Sequence, residues 1–304
     1  RRNIPSLLEE AAARFPQRTA YEDETCSMKF SEVRRLAASI GTGIAALQSP
    51  GSPVAVFMEK SVLMAVSLLG VSYGGCSYCP VDVAMPEARM DRILSVLEPA
   101  AVLTSGSMGA RAREACGDCP VLLVEDLAAR PADEALLASL RARIKSSDPL
   151  YILFTSGSTG MPKGVVGTHQ TVLNNLEWLA SRFDLGPDDV LGNQAPLHFV
   201  VADHDLYCPL KFGCSSFFIP AGYFSFPAKL IPLLNQHRVT TVFWVPFALG
   251  TIASFRALDE ILPEFLRYVF FVGEVMPVRQ LNYWREYVPS AHYINLYGST
   301  EMYM

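Results

Sequence analysis

The sequence predicts an α/β fold of mostly parallel sheets flanked by helices. Three observations predict it. The chain has 304 residues of which 50% are hydrophobic, ample to bury a sizeable core. Short runs that are apolar throughout recur along it. Stretches of helical period lie between those runs. Strands covered on both faces read as continuous apolar runs, and crossover helices cover parallel sheets in that way.

In chain order, residues 1–16 are polar and amphipathic and lack the apolar centre of a secretory leader. Residues 53–58 (PVAVFM) read as a buried strand, and 61–71 as an apolar helix. Residues 90–97 have helical spacing, and strands follow at 100–104 (AAVLT) and 121–124 (VLLV). The Ala/Arg-rich stretch 128–145 is expected to form one or two surface helices. After a loop at 146–149 comes a strand at 150–154 (LYILF), then a Gly/Ser-rich loop, then a reading toward helix over 165–175. Residues 228–237 are helical ahead of a strand at 239–243. Residues 258–266 are helical ahead of a strand at 268–272 (YVFFV), and 293–296 ends a further strand. The best boundary lies near Ser146, giving one α/β sub-region over 1–145 and a second over 146–304.

Formal net charge is −5, with acids and bases mixed and no Lys/Arg block. Neither nucleic acid nor a membrane surface is therefore an expected partner. No apolar run reaches the roughly 18 residues of a membrane-spanning helix, and a cytoplasmic setting is expected. The seven cysteines are an odd number, which argues against a disulfide framework in a chain of this size. Two CxxC pairs, Cys76/Cys79 and Cys116/Cys119, raise the rival reading of a zinc-stabilised binding module. Against it, Cys76 and Cys79 straddle Tyr78 in a strand-like run, where neighbours face opposite ways, and the gap to Cys116 is wide. Free, partly buried thiols and no structural zinc are expected.

The sharpest local signal is residues 155–164 (TSGSTGMPKG), directly after a strand. Gly157, Gly160 and Gly164 let the main chain approach a ligand, and its exposed N–H groups can form an anion nest. Thr155, Ser156, Ser158 and Thr159 add hydroxyls, and Lys163 adds positive charge. This is a phosphate loop in chemistry but not a P-loop in spacing, since Lys163 is neither preceded by Gly nor followed by Ser or Thr. A dinucleotide-binding G-x-G-x-x-G also has no match after Gly157.

This loop, with the VVGTH that follows it, closely resembles the phosphate-loop signature of the adenylate-forming superfamily: acyl-CoA synthetases, luciferases and nonribosomal peptide synthetase adenylation domains. Residues 73–82 (YGGCSYCPVD) with 86–89 (PEAR) resemble a second segment of adenylation domains. Residues 295–301 (NLYGSTE) resemble their NxYGPTE segment, with Ser299 where the family has Pro. The resemblance implies the large N-terminal domain of the adenylate-forming fold, without the small C-terminal domain that follows it in the family, and poor activity for this part alone. It implies ATP and Mg²⁺ as cofactors. Tyr297 would stack on adenine with Asn295 at its edge, and Gly273, Glu274, Gly298 and Ser299 would line the nucleotide. Thr300 would contact the α-phosphate, Glu301 would bind the metal, and Lys163, Thr300 and Glu301 would carry catalysis.

Residues 195–210 resemble the family's acyl-side segment. The pocket wall carried over is His198, Val200, Val201, His204, Trp244, Phe270, Val272, Leu296 and, at its margin, Met304. Amino-acid activators place an Asp after the Phe of this segment, where Val200 stands here. A substrate without an α-ammonium group is expected: an α-keto, α-hydroxy, aryl or atypical amino acid. Helical spacing turns Asp203 about 300° from Val200, making it a surface or capping acid. His204 falls one turn beyond Val200 and is either a donor to a substituent of the acid or a structural histidine. The acyl group would pass to a carrier protein's phosphopantetheine. The alternatives are CoA as acceptor for an aryl or short acid, and an amino-acid or D-alanine carrier-protein ligase.

Overall fold

The computed structural model describes residues 3–155 and 160–303. Two strands, β1 (Thr19–Glu22) and β2 (Ser27–Lys29), come first. Then follow β3 (Pro53–Phe57), β4 (Ser77–Val81), β5 (Ala101–Thr104), β6 (Val121–Leu123), β7 (Pro149–Thr155) and β8 (Lys163–Thr168). The last five are β9 (Val190–Asn193), β10 (Ser215–Phe218), β11 (Thr241–Trp244), β12 (Tyr268–Phe271) and β13 (His292–Asn295). They form a six-stranded sheet ordered β6-β5-β3-β4-β7-β8 and a seven-stranded sheet ordered β13-β12-β11-β9-β10-β1-β2. Pairing is parallel from β6 through β7, with β8 added antiparallel. It is parallel from β1 through β13 in the other sheet. This is the α/β architecture of mostly parallel sheets that the apolar runs predict.

The chain divides into two compact units, one of Arg1–Gln17 with Lys29–Trp178, the other of Arg18–Met28 with Leu179–Met304. The division thus differs from a cut near Ser146. The loop there is a local signal, whereas the pairing Tyr78↔Tyr151 puts β7 in the first sheet. Likewise Tyr21↔Ser216 puts an N-terminal strand in the second. Long-range pairings of this kind leave no mark in a local window.

In the first unit the helix Val62–Tyr73 is buried at every position but Leu63, with Ser61 Oγ accepting from Met64 N at 3.2 Å as its N-cap. It lies close against the helix Phe30–Leu47, where a Cβ on Gly70 would stand 2.6 Å from Ile40. All five residues of β4 are buried, Cys79 among them, and Cys76 just before it is buried too. All seven cysteines are free thiols. Burial pushes Cys76 up to about 11 and Cys79 up to about 12, holding both as protonated thiols. Among the described residues no group of three or more His, Cys, Asp or Glu is placed to hold a metal ion. No described helix is long and apolar enough to cross a membrane.

Two elements differ from the sequence reading. Residues 163–168 form β8 and the helix begins only at His169. The pair Val165-Val166 is β-branched and flanked by glycines, and it finds a strand partner in β7. Residues 258–266 hold one short 3-10 turn, Ala257–Asp259, and otherwise irregular chain, because Pro263 interrupts the helical pattern.

Candidate active site

In the first unit the hairpin β7–β8 carries the Gly/Ser loop. Its last ladder pair is Thr155↔Lys163, which pins Lys163 at the base of the connection with its side chain exposed. Thr155 is half-buried at the end of β7. Ser156, Gly157, Ser158 and Thr159 lie outside the described residues. Gly160 has φ +83°, a left-handed conformation open to glycine, and no heavy atom lies within 4 Å of a Cβ placed there. Gly167 in β8 is needed for space: a Cβ there would stand 2.0 Å from the Tyr151 ring.

In the second unit the carboxyl ends of β12 and β13 lie side by side, with Phe271 opposite Asn295. Beyond β12 the chain turns at Gly273 with φ +98°. Beyond β13 come Tyr297, Gly298, Ser299, Thr300 and Glu301, of which Tyr297, Ser299 and Glu301 are exposed. A cavity of about 1050 Å³ opens here, lined by Gly273, Glu274, Asn295, Leu296, Tyr297 and Gly298 together with Arg285 and His292. Tyr297 is 89% exposed, an aromatic face with no protein ring against it among the described residues. Glu274 Oε2 accepts the Phe247 N–H at 3.2 Å, near the start of the helix Pro246–Ser254. The structure thus brings six of the sequence-derived residues to one cavity. The sequence reading missed Arg285 and His292 because neither belongs to a motif; only the folding of the helix Val278–Tyr287 and β13 brings them to the cavity.

The acyl-side residues are also in the second unit. Val200–Ala202 is a 3-10 turn, and the α-helix starts at Asp203. His198 and Val200 are half-buried, as is Leu296; Val201, His204, Phe270 and Val272 are buried. His204 Nδ1 lies 3.0 Å from the Val201 carbonyl, so Nδ1 carries the proton and Nε2 presents a lone pair. Burial holds His204 down to about 4, neutral at physiological pH. Its remaining nitrogen is therefore an acceptor, which of the two sequence readings fits a structural histidine better than a donor to the acid. Its ring stacks on Phe243 at 4.2 Å, and Phe243 stacks on Phe270 at 4.3 Å.

That stack sets Phe243 and Phe270 apart from Trp244. Strand neighbours face opposite ways, so Phe243 and Phe270 share the His204 face while Trp244 looks to the other. There Trp244 joins the core of Val242, Val269 and Phe271, and its Nε1–H donates to the Gly192 carbonyl at 2.7 Å. Phe243, unremarkable in sequence, stands on the His204 face beside Phe270.

Asp203 also differs from expectation. Asp203 is 5% exposed and no surface acid. Burial holds its carboxyl well above the usual carboxylate range, with the Tyr303 hydroxyl donating to it. The α-helical period assumed for this segment fails because residues 200–202 wind as a 3-10 turn, in which residues three apart eclipse. Asp205 Oδ2 accepts from Asn193 Nδ2 at 2.7 Å, and its backbone carbonyl accepts from Ser216 Oγ at 2.6 Å. Asp205 thereby ties its helix to β9 and β10.

Residues 8–304 match the family described as "AMP-binding enzyme". The chain is 32% identical over 272 residues to an L-proline–[L-prolyl-carrier protein] ligase of Streptomyces coelicolor, covering 83% of this chain and 50% of that protein. It is 28% identical over 295 residues to the ligase of the same name from Pseudomonas fluorescens, covering 95% and 59%. The chain therefore spans between half and three-fifths of the length of these relatives. Among solved structures, the AMPPNP-bound form of the nonribosomal peptide synthetase FmoA3 (S1046A) superposes with a TM-score of 0.84 at 25% identity, covering 98% of this chain and 31% of that one. With a family match over nearly its whole length, the chain belongs to the AMP-binding enzyme family, and its architecture is that of the N-terminal domain of adenylate-forming enzymes.

Proposed function

We propose that this chain activates a small carboxylic acid with ATP, forming an acyl-adenylate that passes to the phosphopantetheine thiol of a carrier protein. The observation that carries the reading is the cavity at the ends of β12 and β13, where the exposed Tyr297 ring stands among Gly273, Asn295 and Gly298. A flat aromatic face, polar edges and open backbone suit a purine. Kinship with carrier-protein ligases and with a synthetase crystallised with AMPPNP supports both the nucleotide and the acceptor.

In the reaction a substrate carboxylate oxygen bonds to the α-phosphorus, the bond from that phosphorus to the bridging oxygen breaks, and pyrophosphate leaves. Such a displacement asks the protein for position and for charge stabilisation. Lys163 and the loop 155–160 hold the phosphates, Tyr297 and Asn295 hold the base, and Thr300 meets the α-phosphate. An exposed lone carboxylate suits Mg²⁺, which keeps much of its water and binds through one or two carboxylates plus nucleotide phosphates. Glu301 would hold it, and the ion would neutralise charge on the leaving pyrophosphate.

The acid lacks an α-ammonium group, because Val200 offers it no counter-charge. Ordering among α-keto, α-hydroxy, aryl and atypical amino acids falls to the rest of the pocket. The test is ATP–pyrophosphate exchange by the natural full-length protein across such acids. Tyr297→Ala should weaken ATP binding about tenfold, given that base stacking on an aromatic contributes roughly 1–3 kcal/mol. Lys163→Ala should slow exchange without changing which acid is preferred. Wild-type exchange with ordinary α-amino acids alone would refute the substrate reading. Unchanged ATP affinity in both variants would refute the nucleotide site.

A further inference from the structure

The 3-10 turn at Val200–Ala202 carries Asp203 round to the face of Val200, three residues and about 6 Å further along the chain. There Asp203 is 5% exposed, and its Oδ2 has no hydrogen-bond partner among the described residues. Its other known contact is the Tyr303 hydroxyl, a neutral group. No described Lys or Arg forms an ion pair with it. Its neighbour His204 is 1% exposed, and Nε2 likewise lacks a described partner. Both residues lie beside Tyr303, whose ring centre is 6.5 Å from that of His204.

Resting on the adenylate-forming reading above, we infer that Asp203 is the anionic anchor for an ammonium group that the substrate carries on a carbon beyond its α-carbon. The reasoning is one of complementarity. Two acceptors with no described partner, a carboxylate oxygen and an imidazole nitrogen, ask for a group rich in donors. An ammonium has three donors and the charge that Asp203 lacks. A hydroxyl group donates once, a keto oxygen not at all, and an aryl ring leaves both acceptors unmet. Removal from water favours the protonated acid, and a bound cation would restore its charge. Val200 meets the position of an α-ammonium with an isopropyl group, so the cation belongs further along, at Asp203. The atypical amino acid among the expected substrates is then one whose amine lies away from the α-carbon.

The experiment is ATP–pyrophosphate exchange by the natural full-length protein with acids of matched carbon skeleton. The series bears its amine on the α-, β- or γ-carbon, beside an analogue with the amine replaced by methyl and one with it replaced by hydroxyl. Exchange should be best with a β- or γ-amine. Asp203→Asn keeps the shape and removes the charge. It should lower kcat/KM for that amine about thirtyfold or more, as when one partner of a buried charge pair is removed. It should leave the methyl analogue within about twofold, which a merely structural role would not allow. Preference of the wild-type protein for the α-amine, the hydroxyl or the methyl analogue overturns the inference while leaving adenylate formation intact. That comparison needs no variant to fold. Exchange with no acid at all overturns both readings.

Discussion

At the scale of single residues, the distinction between pocket and core turns on which way a side chain faces. Trp244 and Phe270 have the same aromatic character in sequence, yet only Phe270 shares the Phe243–His204 stack. Trp244 closes a hydrogen bond to the Gly192 carbonyl inside the opposite core. Trp244→Phe should therefore destabilise the protein by about 1–3 kcal/mol, the cost of leaving a buried carbonyl unpaired. Its acid preference in exchange should stay as in the wild type. Chemical denaturation checks the first outcome, and altered selectivity would return Trp244 to the pocket. Asp203 makes the same point from the polar side. Its chemistry is obvious from the residue name, but its burial and its open oxygen depend on a local change of helical pitch that spacing rules do not contain.

At the scale of elements, the β7–β8 hairpin shows how a motif is placed by its neighbours. The loop glycines are legible in the sequence, and so is β7. β8 is not, because six residues of mixed polarity read weakly until β7 supplies their ladder. Gly167 is part of that ladder for steric reasons, with the Tyr151 ring lying across it from the paired strand. Gly167→Ala should cost about 1–3 kcal/mol, the usual penalty for forcing an extra methyl into filled space. The denaturation midpoint should fall with an unchanged slope. Tyr151→Ala in the same chain should recover part of the loss, and a fully additive pair would refute the contact.

At the scale of the whole molecule, each unit hides a neutral histidine. His169 is 3% exposed and its Nδ1 accepts the Ile4 N–H at 3.2 Å. Burial holds both His169 and His204 down to about 4. A depressed folded-state pKa means that the unfolded chain binds the proton first. The stability tied to each histidine is thus fully present above its unfolded value near 6.5, and it is lost as pH falls toward 4. His169→Asn keeps an acceptor near the Nδ1 position and removes the titration. The stability advantage of wild type over this variant should shrink by about 2 kcal/mol between pH 7 and pH 5. Asp203 works in the opposite sense, since its carboxyl is held protonated in the fold and ionises in the unfolded chain above its usual value. Comparing wild type with His169→Asn at each pH removes that contribution. A pH-independent difference between the two proteins would overturn the account of His169.

What the amino-acid sequence determined by itself was the architecture and the motifs on which the proposed nucleotide site rests. Both are written in contiguous signals: apolar runs bounded by helices, a glycine-hydroxyl-lysine loop, and an Asn-x-Tyr-Gly segment. Such patterns survive in a linear reading because the residues that act together are neighbours in the chain. Only the tertiary structure decided where the chain divides into units, which aromatic residues share the His204 face, and that Asp203 is buried with one oxygen unpaired among the described residues. Each of these depends on partners far away in sequence or on a backbone pitch chosen during packing. Tyr21 beside Ser216, Gly192 beneath Trp244 and Tyr303 against Asp203 are juxtapositions that the sequence allows and that burial and long-range pairing select.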